Sequence, residues 1–176
     1  LRQRLEKYYP PVKNPNGQNM EPGVYLWART VECPNQLCRG RTPLVLNWRL
    51  SSRGDKAYVQ PIVDANKRTV TFEIAYGSST PEPTFSGRKG GACMFCSTPI
   101  TMAYVRTQSL AETTSDRLLA VAAGDDYKWV FCAATPEHEE LAKAVPEPSW
   151  GPRGEIIPAL NSGGPLCGMY TWASLY

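Results

Sequence analysis

The sequence predicts an α+β fold that is mainly β: a zinc ribbon with an antiparallel three-stranded meander, plus a small lobe of one hairpin and one helix. Three observations lead there. Two close cysteine pairs, Cys33/Cys38 and Cys93/Cys96, stand far apart in the chain. The segments between them alternate apolar and polar residues with the period of a strand. A well-capped helical segment stands alone near residue 140. The 176 residues suit one ordinary domain or two small lobes, and a hydrophobic share of 42% is enough for a real core. With 16 Pro and 14 Gly, turns and short elements should dominate.

The elements follow in order. Residues 1–22 are rich in Pro, Asn and Gly and read as a linker or packing arm that docks through Tyr8 and Tyr9, with Tyr9-Pro10-Pro11-Val12 a polyproline-like segment. A strand is expected from Val24 to Val31, running into the first cysteine pair. In Leu44–Leu50, Leu44, Leu46, Trp48 and Leu50 fall on one face and Val45, Asn47 and Arg49 on the other, the signature of a strand. Residues 57–63 form a second strand, with Pro61 indicating an edge or a bulge. Residues 69–76 alternate again, with Val70, Phe72, Ile74 and Tyr76 on one side. Residues 77–91 read as a flexible loop, and a short helix is expected after the second cysteine pair. Residues 118–134 look like a hairpin, with Cys132 a small buried hydrophobe. From Thr135 the chain has an N-cap, Pro136 at the first helical position and Glu137 at the positive helix end. Residues 145–166 look extended. The domain reading is therefore 1–22 an arm, 23–108 the ribbon domain, 109–145 a hairpin and helix addition, and 146–176 a Pro/Gly-rich tail.

The chemistry rests on the cysteines. Cys33 and Cys38 enclose four residues and Cys93 and Cys96 enclose two, both within the spacing that lets two thiolates grip one ion. Two such turns, brought together by the strands between them, supply the four ligands of a closed, structural Cys33/Cys38/Cys93/Cys96 zinc site. Four unrelated thiols or two disulfides are the plain alternatives, and a rubredoxin-like iron is another, although the first pair is wider than that site uses. Six cysteines in a chain without an export signal point to the cytoplasm and to metal or free thiols. No apolar run approaches the roughly 18 residues needed to cross a bilayer, so no membrane partner is expected.

Other signals are weaker. His138, the lone histidine, lies in a Glu-rich helix and reads as a solvated residue; a nucleophilic cysteine would need it as a partner, so no triad is assembled. The stretch Phe85 to Cys93 has glycines at 87, 90 and 91 but lacks the following helix that a phosphate loop requires. A net charge of +3 permits contact with nucleic acid without arguing for it. Arg39, Arg41, Arg49, Arg53, Lys56, Arg88 and Lys89, with Trp48 among them, are either a rim facing double-stranded DNA or a solvated face.

Taken in order, "YPPV", "YLWARTVECPNQLC", "PLVLNWRLS", "ACMFCSTPI", "YVR", the Thr-Pro-Glu-His-Glu helix start and "GMYTW" resemble the zinc-ribbon region of large bacterial and archaeal adenine-specific DNA methylases linked to restriction or phage defence. The resemblance runs from about Tyr9 to Trp172. It implies a parent enzyme that uses S-adenosylmethionine to methylate adenine N6, with its catalytic loop and its cofactor-binding glycines outside the ribbon. The present chain would then be a fragment that does not catalyse alone. Its partners would be the methyltransferase core of the same parent chain and, through the basic residues, DNA. A protein–protein adaptor with no nucleic-acid role is the alternative. One departure stands out: the family has glycine after the last cysteine of the second knuckle, and here Ser97 follows Cys96, at a cost of about 1 kcal/mol for a left-handed backbone.

Overall fold

A computed structural model describes residues 6–125 and 128–146. Ten strands and two α-helices appear among them, and every strand pairing is antiparallel. The strands are β1 (Val12–Lys13), β2 (Asn19–Met20), β3 (Pro22–Glu32), β4 (Arg41–Pro43), β5 (Ala57–Asp64), β6 (Thr69–Tyr76), β7 (Gly91–Ala92), β8 (Pro99–Ile100), β9 (Ser115–Asp125) and β10 (Lys128–Ala133). The helices are α1 (Met102–Leu110) and α2 (Pro136–Lys143). The mainly β expectation is met.

The centre is a four-stranded sheet in the order β10-β9-β3-β4. Its backbone is the long β3–β9 pairing, which runs from Pro22↔Ala123 to Thr30↔Ser115 with irregularities beside Val24 and Trp27. These two strands come from the segments expected as ribbon domain and addition, so the two share one sheet. Three apolar clusters surround it. One gathers Ala28, Leu119 and Ala120 of the sheet with Val59, Val70 and Phe72 of the β5–β6 hairpin and with Val45 and Trp48. A second gathers Leu118, Val121, Ala123 and Cys132 with Val12 of the N-terminal arm, where Tyr9 packs edge-on against Tyr25 at 5.0 Å. The third surrounds the cysteines.

Two readings of the chain are corrected. The meander has two strands, not three. β5 and β6 pair in register from Ala57↔Tyr76 to Asp64↔Thr69, but residues 44–50 form only a single bridge, Arg49↔Tyr58. The Asn47 side chain accepts the N–H of Arg49 at 2.9 Å, an Asx turn that bends the chain out of the strand path. Val45 and Trp48 therefore point inward together, three residues apart, while Leu46 is 52% exposed. Residues 77–91 are not a free loop: Trp48 Nε1 donates to Glu82 O at 3.0 Å, Thr84 Oγ1 bonds Pro43 O, and Phe85 is buried.

Gly90 and Gly91 of that stretch answer to packing. Gly90 has φ +76, and a Cβ there would sit 2.5 Å from the carbonyl oxygen of Ile100. Gly54 has φ +60 and open space around it. Gly90→Ala is therefore expected to destabilise by about 2 kcal/mol or more, whereas Gly54→Ala costs only the backbone term of about 1 kcal/mol. Urea unfolding of the two variants checks the difference.

His138 is also corrected, from solvated to buried. Thr135 Oγ1 accepts its N–H at 3.3 Å, and its own Nδ1 accepts the Thr135 N–H at 3.4 Å, completing a capping box at the start of α2; Nδ1 also lies 2.6 Å from the Thr135 hydroxyl. The helix is fastened to the sheet by Glu139. That carboxylate meets Arg117 Nε at 3.1 Å, the N–H of Leu118 at 3.2 Å and Lys143 Nζ at 2.5 Å. Burial alone would raise its pKa, but these donors outweigh burial and hold it below 4.5. A depressed carboxylate stabilises the fold above its unfolded pKa and loses that contribution as pH falls through its folded pKa. Glu139→Gln should accordingly cost about 1.5 kcal/mol at neutral pH, and the gap to the parent chain should close below about pH 4.5, read from unfolding curves at several pH values.

Candidate metal centre

Two tight turns carry the four cysteines, and each turn closes a small hairpin. The first joins β3 to β4. Glu32 pairs with Arg41, and Cys33 N–H donates to Gly40 O at 2.9 Å. The N–H groups of Cys38 and Arg39 both donate to Asn35 O, at 2.9 and 3.1 Å, and Asn35 Oδ1 accepts from Leu37 at 3.0 Å. Arg39 then reverses the chain at φ +52. The second turn joins β7 to β8 in the same manner. Cys93 N–H donates to Thr98 O at 2.8 Å, Ser97 N–H donates to Cys93 O at 2.8 Å, and Ser97 reverses the chain at φ +60. The left-handed residue expected at Ser97 is present, and Arg39 is its counterpart after Cys38.

The two turns face each other. Met94 N–H donates to Thr42 Oγ1 at 3.2 Å. The Phe95 ring lies against Gly40, where a Cβ would be 2.4 Å from the ring. Glycine two residues after Cys38 is therefore required by the opposite turn. Around them, Val31, Phe85, Ile100 and Val105 close an apolar shell, and the Tyr104 hydroxyl of α1 donates to Glu32 O at 3.0 Å.

All four sulfurs lie within 4.8 Å of one another. Cys33 Sγ is 3.5 Å from Cys96 Sγ, and Cys38 Sγ is 3.8 Å from Cys93 Sγ. A disulfide requires about 2.05 Å, so the cysteines are not joined in pairs. A tetrahedron with metal–sulfur bonds of about 2.3 Å has edges of roughly 3.8 Å, close to these two separations. The four thiols are placed to hold one metal ion, and zinc fits their number, chemistry and spacing.

The electrostatics agree. Burial pushes the Cys33 thiol up to about 12, against the N–H of Asn35 at 3.4 Å. Cys38 accepts from the Gly40 N–H, which lowers its pKa, yet burial and the neighbouring thiols carry it upward. Cys96 is drawn down to about 6 by the Thr98 hydroxyl, 3.2 Å away, and by the Thr98 N–H. The bare pocket thus favours neutral thiols at Cys33 and Cys38, and a dication among the sulfurs is what would hold them as thiolates. Inward-pointing turn amides are expected from the sequence; the structure places them at Asn35, Gly40 and Thr98 and adds the Thr98 hydroxyl. Their signal is positional: each stands two residues after a cysteine.

The basic residues do not form one set. Arg49 is a structural clasp, donating to Lys56 O at 2.8 Å and to Gly77 O and Ser78 O at 2.5 Å each. Lys56 Nζ bonds the Ser78 hydroxyl, and Arg41 bonds Thr113 O and the Ser115 hydroxyl. Arg39, Arg53, Arg88 and Lys89 are exposed. Trp48, expected among these cations, is in the core at 1% exposure. Cys132 is buried and remote from the cluster, at 2% exposure among the residues packed on Val12. Cys167, the tail from residue 147 and the "GMYTW" stretch lie outside the described residues. Among the described residues, no helix is long and apolar enough to cross a membrane.

The chain matches no family model, no curated protein and no solved structure.

Proposed function

We propose that the chain is a zinc-ribbon module, non-catalytic in itself, that serves a larger S-adenosylmethionine-dependent adenine DNA methyltransferase as a structural and DNA-contacting part. The observation that carries the zinc reading is the four-sulfur cluster, all within 4.8 Å of one another and with two edges of 3.5 and 3.8 Å. Zinc is favoured over a rubredoxin-like iron by the wider first turn. Four thiolate ligands leave no open position for a substrate or a water, so the ion would cross-link the two turns rather than catalyse. The parent chemistry is supported by the ordered resemblance of motifs around these cysteines, and by that alone.

Contact with DNA would fall to the exposed cations Arg39, Arg53, Arg88 and Lys89. If each neutralises a phosphate, log affinity should fall with log salt at a slope of roughly −3 to −4, about a 100-fold loss between 50 and 200 mM salt. Duplex binding measured by fluorescence anisotropy across that range tests it, and replacing all four cations by Gln should abolish the binding. The adaptor reading keeps one specific support: Leu37, at the tip of the first turn, is 83% exposed. Salt-insensitive binding to a methyltransferase core, with none to duplex DNA, would decide for the adaptor.

A further inference from the structure

The four sulfurs are not equivalent. Cys33, Cys38 and Cys93 are 3%, 5% and 2% exposed, whereas Cys96 is open to solvent. It opens onto a shallow cavity of about 260 Å³ whose walls include Leu37, Ala65, Arg68, Phe95 and the buried Cys38. A water-sized reagent needs a small fraction of that space. Cys33 Sγ stands 3.5 Å from Cys96 Sγ. Closing that gap to a disulfide bond needs a movement of about 1.5 Å, within reach of one side-chain rotation at the exposed end of a turn.

We infer that Cys96 is the oxidation site of this metal centre, through which peroxide opens it, with Cys33 as the resolving thiolate. The inference rests on the zinc reading above. The Cys96 thiolate attacks one oxygen of hydrogen peroxide; the O–O bond breaks, Cys96 becomes a sulfenic acid, and hydroxide leaves. The Cys33 thiolate then attacks the Cys96 sulfur, an S–S bond forms, the S–O bond breaks, and a second hydroxide leaves. Two electrons pass from the two thiolates to one peroxide. Cys38 and Cys93 alone cannot complete a tetrahedral site, so the cross-link between the turns is lost. Met94 N–H on Thr42 and Phe95 on Gly40 remain to hold the turns near each other for reversal.

The test uses the whole chain, purified with reductant and analysed for metal before any oxidant is added. Hydrogen peroxide is then supplied, metal release is followed with a colorimetric chelator, and the alkylated protein is mapped by peptide mass spectrometry. The expected result is loss of the bound zinc together with a Cys33–Cys96 cross-linked peptide, both reversed by thiol reductant and added zinc. Cys96→His keeps a fourth ligand without a thiolate; it should retain zinc and release it at least ~10-fold more slowly. A chain free of zinc at the outset overturns the metal reading, and this inference with it. Zinc that is present but insensitive to peroxide, equal release in Cys96→His, or a cross-link joining Cys38 to Cys93 overturns the inference alone. Should Cys96→His not load zinc, the cross-link map of the unaltered chain decides.

Discussion

Stripping the metal with a chelator is expected to unfold the two cysteine turns and the helix behind them. The elements that the site joins are too short to persist by themselves: β4 has three residues, and β7 and β8 have two each. Their shell of Val31, Phe85, Ile100 and Val105 is assembled around the sulfurs. A structural zinc contributes an apparent 10–16 kcal/mol, roughly, at neutral pH, against a total stability of about 5–15 kcal/mol for a domain. Removing it should therefore erase the fold of this region. The β9–β10 hairpin, with Leu118, Val121 and Cys132 in a separate cluster, has its own apolar support and should hold longest. Hydrogen exchange resolves this: the amides of Cys93, Ser97 and Val105 should lose protection on chelation well before those of Leu118 and Val121. Metal analysis should find about one zinc per chain, and Cys93→Ser should remove it and do similar damage. Cys132→Ser should leave the metal content unchanged, because Cys132 packs in the cluster on Val12, away from the site. A chain that ignores the chelator, with its four thiols intact, would end the metal reading.

The site was legible because its signal is local. Cysteine spacing of four and two describes a turn completely, and each turn closes on backbone groups within eight residues of its start. The capped start of α2 and the alternation along β5 and β6 are local in the same sense. What the chain does not announce is who pairs with whom. The β3–β9 pairing joins Thr30 to Ser115, and no periodicity in either strand names the other. Residues 44–50 show the opposite failure, a pattern present without its structure. Alternating apolar residues there satisfied the strand period, but one Asn side chain bonding two residues ahead was enough to turn the chain and select Val45 and Trp48 as the inward pair. His138 misled for a related reason: its neighbours are acidic, but the cap geometry turns its ring onto Thr135 and away from water. Gly40 and Gly90 are explained only by what lies across from them, the Phe95 ring and the Ile100 carbonyl.

Trp48→Ala is expected to be the most damaging single change outside the cysteines. The indole is 1% exposed, tilted against the Phe72 ring at 6.3 Å, and packed among Val45, Val59, Val70 and Leu119. It joins three separate parts of the chain. Its carbonyl accepts Val59 N–H at 2.9 Å, its Nε1 donates to Glu82 O at 3.0 Å, and its ring lies against the cluster that includes Ala28 of β3. Deleting a buried Trp side chain costs about 3–5 kcal/mol, which for a chain of this length is a fall in melting temperature of roughly 6–20 °C. Trp48→Phe separates the two contributions. It keeps most of the apolar volume and leaves Glu82 O without its donor; since Glu82 is exposed, water can replace the indole N–H, and the cost should stay near 1 kcal/mol. Thermal unfolding of both variants, run beside duplex-DNA binding, tests the burial against the rim. A tryptophan on a DNA-facing surface would lose binding and keep its melting temperature; one that holds the hairpin to the central sheet must do the reverse, because its ring has no face left for a nucleic acid to touch.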